Sequence, residues 1–329
     1  MTPPASALRT ELATAPGVVV VVSTGGTIAM RPDPATGKLV PATTLDELLE
    51  SLAWPDAPPL ELDDFVRVPS FDMHGPLALS LARRVLEHRA PVLVTHGTDT
   101  MEETVFLIDR LLPDDAPPVV LTGAQRPADE TDRDGPRNLR DAICVAASPE
   151  AGGRGALIVF GGEIHAAREV RKVHTSSIRA FASPGYGPIG HVDGERVVFS
   201  RRPERRPPLP VPDELAAVDL IRLHAGSDAR FLRTAVRSGA RAIVLEGTGR
   251  GNANEQVVEG VRESIAAGVP VIVCSRCVEG RVEPVYGRGG GRDLAEAGAV
   301  FAGDLAGPKA RVLLQLAGAD TAAVEAEAG

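Results

Sequence analysis

Residues 91–112 read PVLVTHGTDTMEETVFLIDRLL. The stretch opens on an apolar run and closes on apolar residues at helical spacing, Val105, Leu107, Ile108, Leu111 and Leu112. Between the two stand Thr95, His96, Gly97, Thr98, Asp99 and Thr100. A buried strand, a polar joint and a helix form the repeating unit of an α/β domain. The same form recurs along the chain. Residues 18–22 are five consecutive valines followed by STGGTIAM, and PPVVLTGAQRP and GALIVFGGEIHAAREVRK each pass from an apolar strand into a Gly-rich or polar loop. Strands without polar alternation suit a parallel sheet covered on both faces. Helical patterns lie between them in TLDELLESLA, PLALSLARRVLEHRA and NLRDAICVAAS. The expected fold is α/β, a doubly wound and mostly parallel sheet with a second, smaller α/β domain.

The division falls at FSRRPERRPPLPVPDE, residues 199–214, where Pro and Arg accumulate and the apolar period stops. This predicts a larger domain over 1–198, a solvated linker over 199–214 and a smaller domain over 215–329. In the smaller domain strands are expected in VDLIRLHAG, RAIVLEGTG and VPVIVCSR, and helices in ARFLRTAVRSG, NEQVVEGVRESIAAG and PKARVLLQLAG. GTGRG, residues 247–251, lacks the spacing of a dinucleotide loop and reads as a strand-end turn.

With 329 residues and 43% apolar content the chain is long enough for two packed domains. A net charge of −9 argues against a nucleic-acid backbone as partner. No apolar run approaches a membrane span, and residues 1–17 lack the apolar core of a signal peptide. Three cysteines cannot all pair, and the lone C-x-x-C at Cys274 and Cys277 has no second pair to complete a zinc site, so both read as half-buried thiols. No metal and no cofactor are expected, and a cytoplasmic setting fits.

In an open parallel sheet, ligands bind beyond the carboxyl ends of the strands. TGGT and THGTDT stand at two such ends. Asp99 with Glu102, or Thr100 with Glu103, has the spacing of a capping box. A cap accounts for one hydroxyl or carboxylate. It does not account for Thr27 and Thr98, each following a glycine, Gly26 and Gly97, that lets the backbone approach a ligand. His96 reads as a hydrogen-bonded structural residue.

TGGTIAM and THGTDTMEET, in this order and spacing, resemble the bacterial-type L-asparaginase (asparaginase/glutaminase) family. The resemblance continues through LTGAQRPADETDRDGPRNLRDA, REVRKVHTSS, YGPIGHV and GPKARVLLQLA, almost the whole chain after residue 17. It implies an amidohydrolase that converts L-asparagine to L-aspartate and ammonia. It implies that Thr27 is the nucleophile and that Thr98, Asp99 and Lys172 form a second, proton-handling group. Ser70 would hold the substrate α-carboxylate, Asp99 its ammonium, and Asn254 would reach the amino-acid end in a neighbouring subunit's site. The family implies a homo-oligomer, a dimer or a tetramer of intimate dimers.

Elementary chemistry agrees with this set. A threonine hydroxyl is a weak nucleophile until a base takes its proton, and a lysine can be that base only as a neutral amine. Strand-end N–H groups would stabilise the oxyanion. This chain departs from the family in three places. The loop RPDPATGKLVPATT has no tyrosine, Phe71 follows Ser70 where some members have Gln, and the flexible run GRGGGR, residues 287–292, stands where some carry an acid. Tyr286 is a candidate substitute for the loop tyrosine. Other readings are a glutaminase, the ammonia-generating subunit of a tRNA amidotransferase, which normally has an extra N-terminal domain, a non-enzymatic amino-acid sensor and a structural protein.

Overall fold

The computed structural model describes residues 17–328 except 34, 42, 43, 51 and 53. The N-terminal segment read above for a signal peptide therefore lies outside the described residues up to residue 16, and the loop without a tyrosine lies partly outside them. The larger sheet has eight strands. In spatial order they are Arg196–Phe199, Gly190–Asp193, Glu163–Ala166, Ala156–Phe160, Val119–Thr122, Val92–Thr95, Val19–Gly25 and Leu60–Val68. The last five are mutually parallel and the first three run antiparallel.

The apolar strands are explained by cover on both faces. Val20, Val22, Val92, Val94 and Leu121 face a core shared with helices Gly75–Glu87 and Met101–Leu111. Val19, Val21, Leu93 and Val120 face a second core under helix Gly135–Ala147. Each side chain is at most 2% exposed, so period-two alternation has no polar face to mark.

The smaller sheet is fully parallel, in the order Val218–Arg222, Ala242–Gly247, Val271–Ser275 and Val300–Phe301. Helices Arg230–Arg237 and Glu255–Ala266 cover one face. Helix Gly307–Leu316 covers the other and packs on helix Met101–Leu111, so one apolar core runs through both sheets. A last helix, Ala322–Ala328, follows.

Two expectations are corrected, and the connecting segment gains tethers. Gly161 and Gly162, at φ 59° and 82°, form a two-residue hairpin turn, so GALIVFGGEIHA is two antiparallel strands instead of a strand and a loop. The 199–214 segment is exposed or half-buried throughout and is also strapped to the larger domain. Arg110 donates to the Arg206 and Pro207 carbonyls, Arg83 donates to those of Pro212 and Asp213, and Arg205 pairs with Asp114. The glycine run is packed instead of flexible. A Cβ on Gly289 would lie 2.3 Å from the Asn254 carbonyl carbon, one on Gly290 would lie 2.4 Å from the Tyr286 oxygen, and helix Gly291–Glu296 begins within the run.

Candidate active site

The chain leaves strand Val19–Gly25 toward Leu60–Val68 on one side, then returns to Val92–Thr95 on the other. The strand order therefore switches between Val19–Gly25 and Val92–Thr95, where loops on either side diverge and open a crevice. Parallel register pairs Ser23 with Thr95, so the TGGT and THGTDT loops emerge at the same level.

Glycine brings these loops together. Gly25 and Gly26 have φ of 92° and 85°, a region that disfavours side chains. A Cβ on Gly26 would lie 2.4 Å from the Gly97 nitrogen, and one on Gly97 would lie 2.7 Å from both Cβ and Oγ of Ser70. The three loops thus stack backbone on backbone, Gly26 on Gly97 and Gly97 on Ser70. Thr27 starts a short 3-10 turn directly after Gly26 and is half-buried.

The capping boxes do not form. The Thr100 hydroxyl donates to the Ser70 carbonyl at 2.7 Å, and the Asp99 N–H donates to Ser70 Oγ at 3.1 Å. The Asp99 carboxylate instead meets Lys172, whose Nζ donates to Asp99 Oδ1 at 2.6 Å and to Thr98 Oγ1 at 2.8 Å. Lys172 sits in a two-strand ribbon, Arg171–Lys172 paired with Phe181–Ala182, and its side chain is 15% exposed against 57% for Asp99. Thr98, Asp99, Lys172 and Ser70 therefore form one hydrogen-bonded cluster, with Thr98 and Ser70 buried.

Hydroxyls at the neighbouring strand ends brace the backbone. Thr24 donates to the Thr95 carbonyl, and Thr122, one strand over, donates to that of Val159. His96 is fully buried, its Nδ1 is 2.6 Å from the Gly97 oxygen, and burial pushes its pKa down to about 4. It is a neutral structural residue at ordinary pH.

Sequence reasoning missed Gln125, whose Nε2 donates to Thr98 Oγ1 at 3.3 Å. Its N–H is fixed by Asp134, which also accepts from Asn138 Nδ2. The signal was available in its position, just after the strand that follows THGTDT.

Two expected residues stand apart from the cluster. The Asn254 amide caps helix Glu255–Ala266, accepting from the Val257 N–H at 3.0 Å and donating to the Ser227 carbonyl at 2.7 Å. Its expected place is a neighbouring subunit's site. Phe71 lies in the 3-10 turn Ser70–Asp72 and is 72% exposed. Tyr286 is exposed on the second domain. Cys274 is fully buried and Cys277 exposed, and both are free, so neither is the half-buried thiol expected. Among the described residues no group of three or more His, Cys, Asp or Glu is placed to hold a metal, and no helix is long and apolar enough to cross a membrane.

Comparison with known proteins places this arrangement. Residues 18–205 match the family model "Asparaginase, N-terminal" and residues 217–327 match "Glutaminase/Asparaginase C-terminal domain". A probable L-asparaginase of Deinococcus radiodurans is 39% identical over 90% of this chain and 91% of its own length. An L-asparaginase of Bacillus licheniformis is 33% identical over 90% of this chain and 94% of its own. The crystal structure of a probable cytoplasmic L-asparaginase from Campylobacter jejuni superposes with a TM-score of 0.83 at 28% identity, over 94% of this chain and 98% of that one. With both family models matched in order across nearly its full length, the chain belongs to the asparaginase family.

Proposed function

We propose that this protein hydrolyses L-asparagine to L-aspartate and ammonia, with Thr27 as nucleophile and Thr98, Lys172 and Asp99 as the proton-handling group. The observation that carries the reading is the contact of Lys172 Nζ with both Thr98 Oγ1 and Asp99 Oδ1. Ser70 Oγ and the strand-end N–H groups receive the substrate α-carboxylate, and Asp99 receives its ammonium. The Thr27 hydroxyl oxygen attacks the side-chain amide carbon, and its proton passes through Thr98 to a neutral Lys172. Backbone N–H groups of the crevice hold the oxyanion. The C–N bond breaks as the nitrogen takes up the proton and leaves as ammonia. Water then attacks the acyl–Thr27 ester, releasing aspartate and restoring the hydroxyl.

The reading extends to assembly, organisation and setting. Phe71, beside Ser70, and Val173 and Ile178, close in sequence to Lys172, are 72%, 48% and 44% exposed. Exposed large apolar side chains so near the site residues in sequence suit a surface that a partner covers, which supports a homo-oligomer, a dimer or tetramer in which Asn254 serves the neighbour. The larger domain to residue 198 carries the site, 199–214 connects, and 215–329 forms the smaller domain. Three free cysteines suit a reducing cytoplasm.

The test is initial-rate ammonia release from L-asparagine, L-glutamine and an asparagine dipeptide. Release from asparagine above all is the expected outcome. Binding of asparagine with no release from any of the three would convert the reading to a sensor.

A further inference from the structure

Lys172 stands on a segment held by other parts of the chain at almost every polar handle. Arg168 donates to Asp304 Oδ1 and Glu327 Oε1, each at 2.8 Å, and Glu169 is paired with Arg201. Lys309, from helix Gly307–Leu316 of the second domain, donates from Nζ to the Arg168 carbonyl at 2.9 Å and to the Val170 carbonyl. The Lys172 N–H donates to Glu102 Oε2 at 2.6 Å.

Two features separate Glu102 and Lys309 from ordinary packing. Lys309 is completely buried, and a buried ammonium is costly where an apolar side chain would fill the same space. Burial lowers its pKa to about 7, with the Glu102 charge opposing. Both carbonyls it holds lie in the four residues before Lys172. Glu102 is in the first turn of helix Met101–Leu111, three residues after Asp99. The same helix start therefore fixes Lys172 twice, at its backbone N–H through Glu102 and at Nζ through Asp99.

We propose that Glu102 and Lys309 are positioning residues for Lys172, and that the second domain, through Lys309, sets where the base of the reaction stands. Neither touches substrate. They fix the backbone from which Nζ reaches Thr98 Oγ1. A displacement of about 1 Å at a reacting group lowers a rate by roughly a hundredfold. Because the second domain carries Lys309, Asp304 and Glu327, its docking and the placement of Lys172 are one event. This inference rests on the reading of Lys172 as proton acceptor.

The experiment measures kcat and KM for L-asparagine with the full chain carrying Glu102→Ala, Glu102→Gln, Lys309→Met or Lys172→Met. Glu102→Gln keeps an oxygen acceptor for the Lys172 N–H and Glu102→Ala removes it. The expected result is a fall in kcat of about ten- to a hundredfold for Glu102→Ala with KM within about threefold, and recovery of most of that loss in Glu102→Gln. Lys309→Met, where it folds, behaves like Glu102→Ala. The Glu102 pair decides the matter if Lys309→Met does not fold. Wild-type kcat in Glu102→Ala, equal losses in Ala and Gln, or a change confined to KM overturns the proposal. Lys172→Met that still turns over would instead overturn the role of Lys172 itself, so the two failures are told apart.

Discussion

Lys172 Nζ lies 2.8 Å from Thr98 Oγ1, across 74 positions of sequence. Thr98 Oγ1 also receives Gln125 Nε2 at 3.3 Å. A hydroxyl has two acceptor lone pairs and one proton. With both lone pairs engaged, the Thr98 proton is left for a third group. A proton passed through Thr98 to Lys172, as proposed above, requires this hydroxyl to turn.

Removing either threonine hydroxyl, in Thr27→Ala or Thr98→Ala, is expected to lower kcat by at least about a hundredfold with the fold intact. Steady-state ammonia release and a thermal melt check both halves. A Thr98→Ala enzyme with near-normal kcat would remove the relay. Lys172→Met keeps the stem and deletes the base, so turnover is lost while aspartate binding, measured by calorimetry, largely survives. Loss of binding alone would reduce Lys172 to electrostatic positioning.

Selectivity follows from anchoring at the amino-acid end. In the proposed reading Ser70 and Asp99 form that anchor, and the Asp99 N–H bond to Ser70 Oγ ties them to one another. Glutamine, one methylene longer, carries its amide past the nucleophile. A methylene is worth about 1 to 3 kcal/mol, and misplacement adds to it. The expectation is kcat/KM for L-asparagine about a hundredfold or more above that for L-glutamine. Phe71→Gln is expected to narrow the gap. Equal values for the two amides in the wild type would refute the selectivity claim and leave the threonine chemistry standing.

Gly97→Ala tests the stacked loops. Its Cβ would meet Ser70 Cβ and Oγ at 2.7 Å, inside van der Waals contact. Ser70 must shift, and with it the bonds to Asp99 and Thr100. KM for L-asparagine should rise at least about tenfold and kcat should fall as well. A variant with wild-type kinetics would show that the loops separate without consequence.

His96 predicts an acid limb of stability. Its pKa falls from 6.5 in the unfolded chain to about 4 in the native state, so between these values the unfolded state binds more protons. Stability therefore drops as pH falls through this window and is unaffected by His96 above it. From about pH 7 to about pH 5 the loss from this residue is about 2 kcal/mol. Urea unfolding at both pH values, with His96→Asn as comparison, reads it directly. An equal pH dependence in the variant would assign the loss to other groups.

The sequence by itself determined the architecture and the chemistry's raw material. Uninterrupted apolar runs leading into TGGT and THGTDT can be little other than buried parallel strands opening into Gly-rich loops. Those motifs, with Lys172, carried the family. What only the tertiary structure decided is where each polar group spends its hydrogen bonds. Thr100 and Asp99 have the local spacing of helix caps, yet Thr100 bonds the Ser70 carbonyl and Asp99 bonds Lys172. Lys309 lies in the helix expected over PKARVLLQLAG, and only the fold places it, buried, against the carbonyls before Lys172. Gly161–Gly162 looks like one more strand-end loop, and it reverses the chain into the antiparallel edge. Local propensity is worth of order 1 kcal/mol per position. A cap is lost at so small a cost when the fold brings in a partner from 30 positions away, as for Thr100, or 73, as for Asp99.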